Sequence, residues 1–191
     1  MTSDFISSRY SGNRYSSIAG ILKNEGNSSA FFHGGKNGTM GFDSYLIAGG
    51  FEKYYGKNEY PIASDYDNHW GIWDEPYLQY VAQSINNFRQ PFCATIFTLS
   101  SHHPYNVPEK YKNRLKVGKL PIQESIMYTD EALRLFFNKV SALPWFKNTL
   151  FVITADHTSE ASIPYFQTTV GQYAIPILFY NFNDTSQFQT S

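Results

Sequence analysis

Apolar residues follow two rhythms along this chain, one of period 3.6 and one of unbroken short runs. Ile18, Ile21 and Leu22 recur at helical spacing within 14–25, and Gly26 is a fitting stop. Ser28–His33 (SSAFFH) then reads as a short strand ending at Gly34-Gly35. Met40–Ala48 is expected as a loop or short helix, and Phe51–Trp73, rich in Tyr, Gly and Asn, as an ordered loop. Asp74-Glu75-Pro76 opens a helix with a capping Asp, and Leu78, Val81, Ala82, Ile85 and Phe88 give it one apolar face. Pro91 ends that helix, and Phe92–Leu99 (FCATIFTL) is continuous enough to be a buried strand. A further helix is predicted over Ile122–Leu143, with Ile126, Leu133, Phe136, Phe137 and Val140 in one stripe. Leu150–Ala155 (LFVITA) and Ala174–Tyr180 close the pattern as buried strands. Helices alternating with buried strands predict an α/β domain with a mostly parallel sheet.

Composition narrows the partners. The 191 residues are 42% hydrophobic and only 16% charged, below the roughly 25% of ordinary domains. Fifteen Lys+Arg against sixteen Asp+Glu leave a net charge of -1, so no basic surface for nucleic acid is expected. The lone Cys93 excludes an internal disulfide framework and a cysteine-based zinc site. It is expected as an inert buried thiol. No apolar run is long enough to span a bilayer, and the polar start lacks a signal-peptide pattern, so the chain by itself is expected to be soluble. No linker or repeat divides residues 1–191, which read as one domain. Its polar start and the final NDTSQFQTS suggest a piece of a longer protein.

In parallel sheets ligands gather at the carboxyl ends of the strands. His33 ends SSAFFH, His102-His103 follow FCATIFTL, and Asp156-His157 follow LFVITA. One such histidine is as readily a loop residue bonded to a backbone carbonyl. Three at strand ends point to a shared polar crevice. Asp and His together suit Mn, Zn or Fe rather than Ca. His33, His102 and His103 are better placed as donors to an anion beside an ion than as its ligands. Asp130 and the tryptophans 70 and 73 read mainly as structural, and His69 as a surface residue.

The segments FFHGGKNGTMGFDSY, WGIWDEPYL, TIFTLSSHHPYNVPEKYK, YTDEALRLFF and NTLFVITADHT, in this order, resemble the sulfatase-type domain of lipoteichoic-acid-synthase-like proteins of the alkaline phosphatase superfamily. The resemblance runs from about Asn13 to Tyr180. It implies a three-layer α/β/α sandwich outside the cell membrane, normally carried behind upstream transmembrane helices. It further implies a Thr nucleophile, one divalent ion (Mn, with Mg or Zn as alternatives), and cleavage or transfer of a phosphoglycerol-, phosphoethanolamine- or sulfate-type group on envelope lipids or glycans. By the same resemblance Asp156 and His157 match the late metal-ligand pair, and His33 and His102 the histidines that contact phosphate or headgroup.

Departures accompany the likeness. Where phosphoglycerol-polymerising members carry an acid, a Trp and an Arg after the FFHG histidine, this chain has Gly35, Met40 and Phe42. Arg grips phosphate bidentately, so its loss puts phosphoglycerol polymerisation in doubt, with a sulfate ester or a phosphoethanolamine-like group as alternatives. No strand followed by a Ser or Thr turn precedes Ser28, so the nucleophile and an earlier acidic ligand are expected upstream and the isolated chain is expected to be inactive. The competing readings are a non-catalytic binding or sensor module of the same fold, and an unrelated α/β domain with structural histidines.

Overall fold

The computed structural model describes residues 5–112, 114–115 and 118–183; the polar tail 184–191 and the first four residues lie outside the described residues. Nine elements carry the fold: α1 (Ile18–Asn24), β1 (Ser28–His33), α2 (Phe42–Ala48), β2 (Lys53–Tyr55), α3 (Asp74–Ile85), β3 (Phe92–Phe97), α4 (Ile122–Val140), β4 (Leu150–Thr154) and β5 (Ile177–Asn181). Three strands form a parallel sheet in the order β2-β1-β3, with Ala30 opposite Lys53 on one side and Ala94 on the other. The expected α/β architecture is therefore present. Its parallel pairing brings the ends of β1 and β3 level, His33 opposite Phe97.

Strand alternation decides what each face meets. Ala30 and Phe32 point to one side, where Tyr77, Leu78, Val81, Ala82 and Ile85 of α3 and Ala132, Phe136 and Val140 of α4 complete the core. Ser29, Phe31 and His33 point to the other, where Phe42 of α2 meets His33. Helices on both faces make three layers.

Several expectations shift on inspection. The segment 51–73 contains β2, a three-residue strand too short to carry a pattern. In α1 the buried residue is Ala19, while Ile18 and Ile21 are exposed. The helix packs through its smallest residues: a Cβ on Gly50, whose φ is +102°, would lie 2.7 Å from the Gly20 Cα. The α4 stripe runs through Ile122, Ser125, Tyr128, Ala132, Phe136 and Val140, leaving Ile126 exposed, and the helix stops at Val140 rather than Leu143. Cys93 is half-buried, and burial raises its thiol pKa.

The last two strands are not buried runs. β4 and β5 pair antiparallel with each other, Val152 opposite Phe179. Phe151 and Tyr180 turn inward against Phe137 and Phe146, while Leu150, Val152 and Ile177 face outward and are about half exposed. β5 starts at Ile177, not Ala174, which caps a 3-10 turn.

Candidate functional site

β1 delivers His33 into a box of rings. The imidazole is 2% exposed, its centroid 5.1 Å from that of Phe42 and 5.7 Å from that of Phe97. Nδ1 hydrogen-bonds the Tyr54 hydroxyl at 2.8 Å. Burial lowers the pKa of His33 to about 4, so the ring is neutral near pH 7. Burial first, then Asp43 and Glu59, raise Tyr54 to about 12, which keeps that hydroxyl protonated. The chain leaves β1 through Gly35, where a Cβ would lie 2.6 Å from the His33 Cε1 and 3.1 Å from the Trp70 carbonyl oxygen.

The loop carrying Trp70 is folded around Asp67. Its Oδ1 accepts from the backbone N–H groups of His69, Trp70 and Gly71 at 2.8, 2.9 and 3.0 Å. An antiparallel bridge between Gly35 and Gly71 fastens this loop to the end of β1. Trp70 is 40% exposed, and its ring centroid sits 3.9 Å from that of His102. Its Nε1 donates to the His103 carbonyl at 2.6 Å. That carbonyl also accepts from His102 Nδ1 at 2.9 Å. A carbonyl only accepts, so Nδ1 carries the proton and Nε2 holds the lone pair of the neutral ring.

His102 itself stands five residues beyond the end of β3, on a turn rather than a strand end. The turn is held by Asp74, expected as a helix cap and found inside the first turn of α3. Its Oδ1 accepts from the backbone N–H of Leu99 (3.0 Å) and Ser100 (3.1 Å), and its Oδ2 from the Thr129 hydroxyl (2.7 Å). Burial pushes the Asp74 pKa up, and these donors pull against it. Next to Asp130, which was expected to be structural, Thr129 donates its hydroxyl to Asp74, and the Tyr128 hydroxyl accepts from the Glu75 N–H, both in the first turn of α3. Trp73 packs edge-on against Tyr128.

Asp156 and His157 follow β4 and are both exposed. His157 Nε2 lies 3.5 Å from Asp156 Oδ2, while its Nδ1 donates to the Thr158 carbonyl at 3.2 Å. That bond leaves Nε2 as the ligating nitrogen, the usual arrangement for a metal-bound imidazole. A spacing of 3.5 Å suits two ligands of one ion at bonds of about 2.1 Å. The pair fits half of a metal centre: among the described residues no cluster of three or more His, Cys, Asp or Glu side chains gathers for an ion.

Contacts chain these pieces together. Trp70 joins the end of β1 to the His102 turn, and the Tyr105 hydroxyl meets Ser159 Oγ at 2.7 Å, tying that turn to the Asp156–His157 loop. The four residues singled out in the sequence thus sit on three segments, two of them each tied to the His102 turn. His33 lies beneath the surface, which was not anticipated, while the bonds of His102 and His157 to backbone carbonyls are those expected of a structural loop histidine. Asp67, Trp70, Asp74 and the Tyr105–Ser159 pair carry the geometry. Of these, Asp74 stood out in the sequence as a helix cap and Trp70 as a mainly structural residue, while Asp67, Tyr105 and Ser159 gave no signal.

A parallel sheet with helices on both faces and histidines at and beyond the carboxyl ends of β1 and β3, with Asp156 and His157 after the antiparallel β4, defines an α/β domain of the kind that houses polar active sites in loops. The chain belongs to the sulfatase family, whose model matches residues 2–190. It is similar to phosphoglycerol transferase I of Escherichia coli (strain 55989 / EAEC), 32% identical over 151 residues, 73% of this chain and 20% of that protein. The enzyme of the same name from Shigella boydii serotype 18 gives the same figures. The chain therefore spans about a fifth of the length of these curated relatives.

Among solved structures it resembles an alkaline phosphatase superfamily protein from Vibrio parahaemolyticus (TM-score 0.80, 23% identity, 94% of this chain and 44% of that one). The lipoteichoic acid synthase LtaP from Listeria monocytogenes follows with TM-score 0.73 and 19% identity over 88% of this chain and 46% of that one. The C-terminal periplasmic domain of EcEptC from Escherichia coli gives 0.61 and 17% over 86% and 51%. These likenesses establish the fold, and with the family match they bear out the resemblance drawn from the motifs.

Proposed function

We propose that this chain is part of the catalytic domain of a metal-dependent enzyme that transfers or hydrolyses phosphate esters, of phosphoglycerol or phosphoethanolamine type, or sulfate esters on cell-envelope lipids or glycans. The observation that carries the reading is the tying of the His102 turn to both the end of β1 and the Asp156–His157 loop. Family membership and the name of the phosphoglycerol transferase relatives support it. Asp156 and His157 would hold a divalent ion, Mn with Mg or Zn as alternatives, together with ligands from elsewhere in the protein. Such an ion, when bound, acts as a Lewis acid on phosphoryl oxygen.

His102 handles the headgroup. Its neutral ring presents the Nε2 lone pair to a headgroup hydroxyl, and its charged ring presents an N–H to a phosphoryl oxygen. His33 acts from below, as the neutral floor under Gly35 and Trp70. The enzyme works outside the cell membrane, as in the EcEptC periplasmic domain. The nucleophile is supplied from outside these residues, so the chain by itself is inactive.

Calorimetric titration with Mn²⁺, beside phosphodiester and sulfate-ester assays, tests this on the chain and on the full-length protein. Turnover in the full-length protein, lost with metal binding in His157→Ala and weakened with metal retained in His102→Ala, is the expected result. A full-length protein that binds an envelope headgroup without turnover would instead be a binding module. Unchanged Mn²⁺ affinity in His157→Ala would sink the metal assignment.

A further inference from the structure

We infer that Asp74 is a positioning residue for His102, its buried carboxylate fixing the turn that holds this imidazole against Trp70; the inference rests on the headgroup reading of His102. Asp74 is 1% exposed, and among the described residues no Lys or Arg pairs with it. A carboxylate buried without a cation is costly unless donors saturate it. Here they do: the N–H groups of Leu99 and Ser100 reach Oδ1 and the Thr129 hydroxyl reaches Oδ2. Ser100 Oγ returns the bond by accepting from the Asp74 N–H at 3.0 Å. The first turn of α3 adds its own favourable field for a negative group.

The link to His102 is one residue long. The N–H of Leu99 is fixed by Asp74, and its carbonyl accepts from the His102 N–H at 3.1 Å. The His102 carbonyl in turn accepts from the Tyr105 N–H at 2.9 Å. Leu99 also lies under the Trp70 loop, its Cδ1 2.5 Å from where a Gly71 Cβ would stand. Both members of the His102–Trp70 pair therefore rest on the residue that Asp74 holds. Without the carboxylate, two backbone N–H groups in a buried turn lose their partner. The turn must then rearrange, and the imidazole leaves the indole. Of the hydrogen bonds Asp74 makes among the described residues, the one from Thr129 alone reaches α4, so a structural tie of Asp74 to that helix can be cut separately.

The test combines two readouts on the full-length protein, NMR with diamagnetic Mg²⁺ in the site and turnover with Mn²⁺. Proton NMR follows the His102 Hε1 resonance, which the Trp70 ring shifts at this distance. Turnover of bis-para-nitrophenyl phosphate gives kcat and KM. Asp74→Ala is expected to move Hε1 toward its unstacked position and to lower kcat/KM at least tenfold, with Mn²⁺ affinity retained. Asp74→Ala combined with His102→Ala should lose no more than His102→Ala alone. Asp74→Asn, which keeps an oxygen for the two N–H groups, should restore most of both signals, and Thr129→Val should lower Tm and leave both unchanged. Should Asp74→Ala fail to fold, Ser100→Ala is expected to move Hε1 and kcat/KM in the same direction by less. A folded Asp74→Ala or Ser100→Ala with the wild-type Hε1 position, or additive losses in the double variant, would overturn the inference. Wild-type turnover in His102→Ala would refute the headgroup reading instead, while the NMR coupling still stands or falls by itself.

Discussion

His33 has given up its charge to sit among rings. It titrates near 4 when folded and near about 6.5 when unfolded. As pH falls, the unfolded chain takes the proton first. The stability due to the neutral ring is therefore complete above about pH 6.5 and drains away as pH falls toward 4, by at most about 3 kcal/mol. Urea unfolding across that window should show the loss, and His33→Gln should flatten it; equal slopes would discount the buried ring. Gly35 is bound to the same arrangement. Ala there puts a methyl 2.6 Å from the imidazole, and about 1–3 kcal/mol of destabilisation is expected in a denaturant melt. The absence of the acid and the Arg that related polymerising enzymes are expected to carry thus has a packing counterpart. Gly35 leaves no room for an acid, and Phe42 packs edge-on against His33.

Between helices the energetics are ordinary, which makes them a useful contrast. Leu78 is 1% exposed where α3 meets the sheet and α4, so Leu78→Ala should cost about 2–5 kcal/mol in chemical denaturation. Leu150→Lys on the outward face of β4 should stay within about 0.5 kcal/mol of wild type. A larger loss would mean that something covers that face. These two leucines show what periodicity can and cannot tell. The stripe 78–81–82–85 is a local pattern on α3 and lies buried as expected, whereas Phe88, expected as its fifth member, falls beyond the helix end at Ile85. Leu150 belongs to an equally apolar run, but its burial depends on whether a neighbouring strand lies over it, which is not a local property. Ile18 and Ile21 failed for a related reason: close approach at Gly20 and Gly50 chose the small face of α1.

Across the whole molecule, the candidate site residues were legible as polar positions just beyond apolar runs; a parallel sheet brings the ends of β1 and β3 to one edge, while Asp156 and His157 follow β4 of the separate antiparallel pair and meet the His102 turn through the Tyr105–Ser159 bond. The couplings between them were not, since they depend on loops meeting from afar: Trp70 to His103 spans 33 residues and Tyr105 to Ser159 spans 54. Tyr105→Phe should loosen the latter tie at a cost of about 1 kcal/mol, read as a lower midpoint in urea. Trp70 has one more consequence. Indole emission responds to an imidazole in van der Waals range, and of the three tryptophans this one is 40% exposed and pressed on His102, whereas Trp145 is buried. The protein therefore carries an optical gauge at its own candidate site. Any headgroup that displaces the imidazole should change the intensity and colour of tryptophan fluorescence, without label or coupled assay, and Trp70→Phe should erase that response while leaving the emission of the other two in place.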